Sequence, residues 1–386
     1  MSLSHLFDSL TAEQLRNKAC AKWQHFPADV LPLWVADMDF PIAEPIKAAL
    51  RQYADSDNFG YPEQDGLPGV KEATLKRLNE RHGWQVEAKD LTLINGIVPG
   101  LFLSVMALSS TQDEVIVPSP IYGPFKMAVE MTGRKGVYVP LIELGYELDF
   151  DALEKSVTPA SRVLMICNPH NPVGRVFTRA ELEKLADFAL RHRLWVVSDE
   201  LHSDLVFSKH KHIPFASLND EIAQRTITLF GPTKTFNIAG LKIGFAASQN
   251  PDLLKRFEAV SAGLMGKPNV FAQTALVAAF TEGDAWLTET LSYLEANRDF
   301  IGDYLKTNIP QIGYRAPEGT YLAWLDMRKL ELENPETFAL EHAKVALNNG
   351  AWFGPGGEGF LRLNFATSRA IVTEALERLK AAVNAL

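Results

Sequence analysis

The sequence has 386 residues, 47% of them hydrophobic and 22% charged, enough chain for about two or three domains' worth of core. The formal net charge of -9 argues against nucleic acid or an anionic membrane as the main partner. With only Cys20 and Cys167 there is no disulfide framework, and no apolar run reaches membrane-spanning length. The start, Met1-Ser2-Leu3-Ser4-His5-Leu6-Phe7-Asp8, lacks the charged-then-apolar order of a secretory signal, so the expected location is the cytoplasm.

Through the middle of the chain, short apolar runs alternate with amphipathic helical stretches. That pattern predicts an α/β domain on a largely parallel sheet, where ligands bind beyond the carboxyl ends of the strands. Leu91-Thr92-Leu93-Ile94 reads as a strand, and Asn95-Gly96-Ile97-Val98-Pro99-Gly100 opens an apolar helix after it. Amides at such a helix start, from Gly96 through Ile97 and Val98, suit a phosphate, and Gly96 allows close backbone approach. Val115-Ile116-Val117 is the next strand. Tyr122, just after its turn, suits stacking on a flat ring or ordinary half-buried packing.

Arg162-Val163-Leu164-Met165-Ile166-Cys167 is a strand ending in the tight loop Asn168-Pro169-His170-Asn171-Pro172-Val173-Gly174. An amide from that loop can donate to a ligand oxygen, although turn chemistry also explains Asn-Pro and Gly. Thr178 and Glu181 form a candidate capping box ahead of the stripe Leu182, Leu185, Phe188 and Ala189. The strand Leu194-Trp195-Val196-Val197-Ser198 ends at Asp199, where an unpaired charge is costly. Asp199 is read either as the partner of a cationic ring or as a cap or paired carboxylate. His202 follows three residues later as a second polar candidate. Lys209-His210-Lys211-His212 reads as a solvated loop, because adjacent lysines repel a metal; no metal site is expected.

Thr226-Ile227-Thr228-Leu229-Phe230 leads into Gly231-Pro232-Thr233-Lys234-Thr235-Phe236-Asn237. A lysine held in a small-residue loop at a strand end loses proton affinity when desolvated and attacks carbonyls, which is how enzymes hold pyridoxal phosphate. The alternative is a lysine on a solvated loop. A site for that cofactor also needs a carboxylate for the ring nitrogen, donors for the ring oxygen and phosphate, and a clamp for the substrate carboxylate. Asp199, Asn171, His202, the Gly96 helix start and Lys242 supply candidates for the first three. Arg362, flanked by Leu361 and Leu363 in a strand-like run, offers a bidentate fork for a carboxylate, or the arginine of an internal salt bridge.

After the strand Ile243 to Ala247, the tail changes character. A long helical stretch from about Phe280, the segment Gly319 to Trp324, a helix from Pro335 to Asn348, the strand Phe360 to Phe365 and a last helix predict a smaller α+β domain. The expected division is an N-terminal segment, 1–45, joining the small domain, a large domain, 46–280, and a small C-terminal domain, 281–386. Gly354-Pro355-Gly356-Gly357-Glu358-Gly359 matches a dinucleotide fingerprint by letter, but it precedes a strand and is rejected.

Asn171-Pro172-Val173-Gly174, Asp199, Thr233-Lys234-Thr235, Lys242 and Arg362 resemble, in order, the motifs of the class I/II aminotransferase-like enzymes of fold type I. Leu33-Trp34-Val35-Ala36-Asp37-Met38-Asp39-Phe40-Pro41, Asn95 to Pro99, Asp199-Glu200-Leu201-His202 and Lys234 to Leu241 are similar to the MalY/PatB branch, cystathionine β-lyases and related C–S lyases. The resemblance implies pyridoxal 5'-phosphate linked to Lys234, with Asp199 on its ring nitrogen. It implies Asn171 and His202 at the ring oxygen, and Thr233, Lys242 and the Gly96 helix start at the phosphate. Arg362, Ala36, Asn171 and Tyr122 would hold a small sulfur-containing amino acid. Tyr61 matches a tyrosine that reaches the neighbouring subunit's phosphate, implying a homodimer with shared active sites. The expected reaction is β-elimination to thiol, pyruvate and ammonia. The alternatives are transamination on the same lysine, or a regulator-binding protein that retains the cofactor site.

Overall fold

The structure is a computed structural model that describes residues 3–63 and 65–386. A seven-stranded sheet forms its centre: β1 (Leu91–Ile94), β2 (Glu114–Ser119), β3 (Lys135–Pro140), β4 (Ser161–Cys167), β5 (Trp195–Asp199), β6 (Thr226–Phe230) and β7 (Gly244–Ala247). The spatial order is β1-β7-β6-β5-β4-β2-β3. Only β7 runs against its neighbours. Helices cover both faces, so β4, β5 and β6 bury nearly every residue and read as continuous apolar runs.

The register decides where polar side chains emerge. Cys167 of β4 lies beside Asp199 of β5, which lies beside Leu229 of β6. The loops that follow these three strands therefore leave the sheet in one row. The helix Arg179–Arg191 begins with the capping box expected of Thr178 and Glu181, and it buries Leu182, Leu185, Phe188 and Ala189 against the sheet.

The tail forms an antiparallel sheet in the order Asn348–Asn349, Phe360–Asn364, Leu322–Asp326, Gly313–Tyr314. The helix Asp284–Asn308 precedes it. The expected helix from Pro335 to Asn348 stops at Glu341. Lys344 takes a φ of 56°, and the next residues leave the helix to pair in parallel, Val345–Ala346 with Leu31–Pro32. Long-range strand pairing overrides local helical pattern there. A second difference concerns Lys209 to His212. His212 is buried, not solvated, with Nε2 2.9 Å from Glu200 Oε2.

The segment Leu33 to Phe40 bridges the two sheets. Its backbone pairs with the tail: Leu33 N–H donates to Ala346 O, and Asn364 N–H donates to Leu33 O, both at 2.9 Å. Asn364 Nδ2 donates to Val35 O (2.6 Å) and Asp37 O (2.7 Å). From the large-sheet side, Asn237 Nδ2 donates to Met38 O (3.0 Å) and Phe40 O (2.8 Å), and Asn237 Oδ1 accepts from Met38 N–H (3.1 Å). Asp39 is buried in an ion pair with Lys22 at 2.9 Å and accepts from Trp23 Nε1 at 2.7 Å. Backbone and side chains from both sheets thus satisfy much of this segment's hydrogen bonding.

Candidate active site

A cavity of about 410 Å³ opens at the carboxyl ends of the parallel strands. Gly96, Ile97 and Val98 line it from the end of β1, and Tyr122 from beyond β2. Asn171 comes from the loop after β4, Asp199 and His202 from the end of β5, and Thr233, Lys234 and Lys242 from beyond β6. Ala36 closes it from the bridging segment. Arg362 lines an adjoining cavity of about 690 Å³ that shares Ala36, Tyr122 and Lys234 with the first. Tyr61 touches neither cavity of its own chain and is fully exposed.

Lys234 sits in a tight turn after β6. The approach of β6 to β7 explains Gly231: a Cβ there would come within 2.9 Å of Gly244 Cα and of Ile243 O. The Lys234 side chain is 21% exposed, towards the cavity. Its Nζ donates to Ala36 O at 2.6 Å and lies 3.7 Å from Asp37 Oδ1. Burial lowers the proton affinity of this amine, with Asp37 acting in the opposite direction. Ala36 O also accepts from Tyr321 Oη at 2.8 Å.

Asp199 is 6% exposed, and its carboxylate accepts one hydrogen bond, from Leu201 N–H at 3.0 Å. No cation pairs with it among the described residues, and burial raises its carboxyl to about 7. The neighbouring Glu200 faces away, into Ser198 Oγ, Phe215 N–H and His212. His202 is 4% exposed, and its Nδ1 has no partner. Burial, then the nearby Lys234 and Arg362 charges, hold it down at about 3, a neutral imidazole.

Arg362 is 3% exposed and has no carboxylate partner among the described residues, so the internal salt bridge allowed by the sequence does not form. Its Nη1 donates to Asn171 Oδ1 (3.1 Å), and its Nη2 donates to Trp34 O (3.0 Å) and Asn348 Oδ1 (2.5 Å). Nε has no partner. The guanidinium lies 4.9 Å from the Phe353 ring, and burial lowers it to about 10. At the other end of the first cavity, Gly96 has a φ of 103°, a conformation that favours glycine. The helix Ile97–Leu108 starts there, and its first amides have no intrahelical acceptor.

The donor set fits one kind of ligand. A buried carboxylate without a cation calls for a cationic group opposite it. Free amides at a helix start, beside the lysine Lys242, call for an anion such as phosphate. A nucleophilic amine lies between them. These features suit a flat heteroaromatic aldehyde that carries a phosphate. Asp37, Asn237, Tyr321 and Asn364, which shape the site around Lys234, escaped the sequence reading. Each sits inside a run quoted above, but nothing local marks its role, because its partners lie far away in the chain.

The family model for aminotransferase class I and II matches residues 28–379. The chain belongs to this family. Cystathionine beta-lyase PatB of Bacillus subtilis is 42% identical over 365 residues, which cover 92% of this chain and 93% of PatB. Among solved structures, cystalysin from Treponema denticola, which contains a pyridoxal 5'-phosphate cofactor, superposes with a TM-score of 0.92. It is 32% identical, and the match covers 98% of this chain and 99% of cystalysin. The PLP-bound C–S lyase from Staphylococcus hominis gives a TM-score of 0.91 at 31% identity, covering 98% of each chain. The mostly parallel sheet between helices has the architecture of these fold type I enzymes.

Proposed function

We propose that this protein is a pyridoxal-phosphate-dependent carbon–sulfur lyase. It acts on cystathionine or a related cysteine S-conjugate and yields thiol, pyruvate and ammonia. One observation carries the reading: Lys234, with lowered proton affinity, shares a cavity with the cation-free carboxylate Asp199, next to a buried Arg362 that lacks a carboxylate. The similarity to PatB and the C–S lyases places the chemistry at the Cβ–S bond.

When bound, pyridoxal phosphate supplies an aldehyde that captures amines and a ring that withdraws electrons from the substrate Cα. The rest falls to side chains. Lys234 Nζ is the group that would hold the cofactor through its aldehyde. Arg362 forks the α-carboxylate, with its own plane fixed by Asn171, Trp34 O and Asn348. Lys234 then takes the Cα proton as general base. Ala36 O and Asp37 hold the resulting ammonium, the proton source for the departing sulfur. Asp199, as an anion, would favour positive charge on the ring nitrogen. Asn171 and neutral His202 address the ring oxygen. The Ile97 and Val98 amides, Thr233 and Lys242 address the phosphate.

Tyr61, exposed on its own chain, is assigned to the phosphate of a second subunit. The working form is then a homodimer, for which we infer a cytoplasmic location. The division into 1–45 with 281–386, and 46–280, stands as the proposed domain plan. The test is incubation of the purified, cofactor-loaded protein with cystathionine, following pyruvate, thiol and ammonia. Absence of turnover on every cysteine conjugate would overturn the lyase reading. Keto acid with pyridoxamine phosphate and no ammonia would identify a transaminase instead.

A further inference from the structure

We infer that the 690 Å³ cavity receives the departing thiol, and that Glu336 selects S-conjugates whose thiol half carries its own ammonium group. The inference rests on the lyase reading above. At its inner end this cavity holds Lys234, Ala36, Tyr122 and Arg362, the groups that engage the cysteine half. Its volume extends past them along aromatic walls formed by Phe26, Trp34 and Trp352. The rings of Phe26 and Trp34 meet edge to face at 5.7 Å, and Trp352 meets Tyr122 the same way at 5.5 Å. Such walls suit the methylene stem of a thioether.

Glu336 is the one carboxylate among the described residues lining this space, and it makes no ion pair. Its place in the first turn of the helix Pro335–Glu341 gives it a favourable dipole. That alone does not require it to face the cavity, and Asn334 already caps the helix through Thr337 N–H at 3.1 Å. Asn349 Nδ2 donates to Glu336 Oε2 at 3.2 Å, while Asn349 Oδ1 is occupied by Ala351 N–H at 3.0 Å. The preceding residue, Asn348, holds Arg362 at 2.5 Å. Two consecutive residues of one short strand thus brace the guanidinium that takes the near carboxylate and the carboxylate left for a distant cation. The other titratable group at this end, His25, has its ring against Phe26 (4.7 Å) and Trp34 (5.1 Å). A cysteine conjugate with a second amino group on its thiol half complements this layout. An S-alkyl cysteine leaves Glu336 without a cationic partner.

The test compares cystathionine with S-(3-carboxypropyl)-cysteine, the same chain lacking the distant amine, on wild type and Glu336→Gln. Wild type should favour cystathionine in kcat/KM by about tenfold, and E336Q should erase that preference through KM for cystathionine alone. The analogue should change by less than about twofold. Equal loss on both substrates would make Glu336 structural and overturn the proposal. So would an unchanged preference in E336Q. Equal wild-type rates on the two substrates overturn it without any variant, so a poorly folding E336Q does not protect the idea. Pyruvate from both substrates without discrimination leaves the lyase reading standing; pyruvate from neither removes both.

Discussion

At position 234 a single amine answers to two opposing influences. Desolvation strips proton affinity from it, and Asp37, 3.7 Å away, restores some. Arg362, also near, acts with desolvation. Tyr122, Tyr321 and neutral His202 complete its surroundings. Replacing Asp37 by Asn removes the nearby negative charge that favours the ammonium and leaves the Ala36 carbonyl in place. In cofactor-free protein, the pH midpoint for labelling Lys234 with an amine-reactive reagent should then fall. Mass spectrometry of the labelled peptide reads it, and an unchanged midpoint would remove Asp37 from the account. The same substitution should move the acid limb of the kcat profile downwards, since the base is then free at lower pH.

At the scale of elements, the bridging segment Leu33 to Phe40 is held mainly by side chains of two asparagines. Asn364 is fully buried and uses Nδ2 on Val35 O and Asp37 O and Oδ1 on Ala366 N–H. Asn364→Ala should lower stability by about 2–4 kcal/mol, because buried backbone groups lose their partners. Thermal melting measures this, and a variant within error of wild type would contradict it. Here the limits of sequence reading become physical. Asn171, Asp199, His202 and Lys234 were legible because a parallel sheet delivers strand ends to one edge, and strands are marked by their apolar runs. Asn237 and Asn364 were not, because their acceptors lie 199 and 329 residues away, respectively (Met38 and Val35), and asparagine carries no mark of a distant partner. The Pro335 helix was overextended for a related reason: Val345 is drawn out of it by Leu31.

Over the whole molecule, Asp199 ties cofactor to stability. Burial pushes its folded carboxyl up to about 7, from the 3.8 of a free aspartate. A raised acid stabilises the fold fully below its unfolded value, and that contribution is lost as pH rises through the folded value. Cofactor-free protein should therefore weaken between about pH 4 and pH 7, and Asp199→Asn should recover on the order of 3–4 kcal/mol at pH 8. Denaturant melts of both forms decide it; a flat profile in the wild type would be contrary evidence. The same variant should retain pyridoxal phosphate poorly, so stability and cofactor retention separate. A second prediction concerns assembly. Tyr61→Ala should loosen cofactor retention, and mixing it with Lys234→Ala should restore tight retention at about a quarter of the sites, those pairing an intact Lys234 with an intact partner Tyr61. No restoration on mixing would place Tyr61 outside a shared site.

The carbonyl of Ala36 receives both Lys234 Nζ and Tyr321 Oη. One of these donors follows β6, and the other immediately precedes a strand of the tail sheet. A single oxygen is thereby a mechanical coupling: any slide of the tail against the large sheet alters the grip on the lysine. Arg362 reaches the same stretch of backbone through Trp34 O, so the clamp and the lysine are anchored two residues apart.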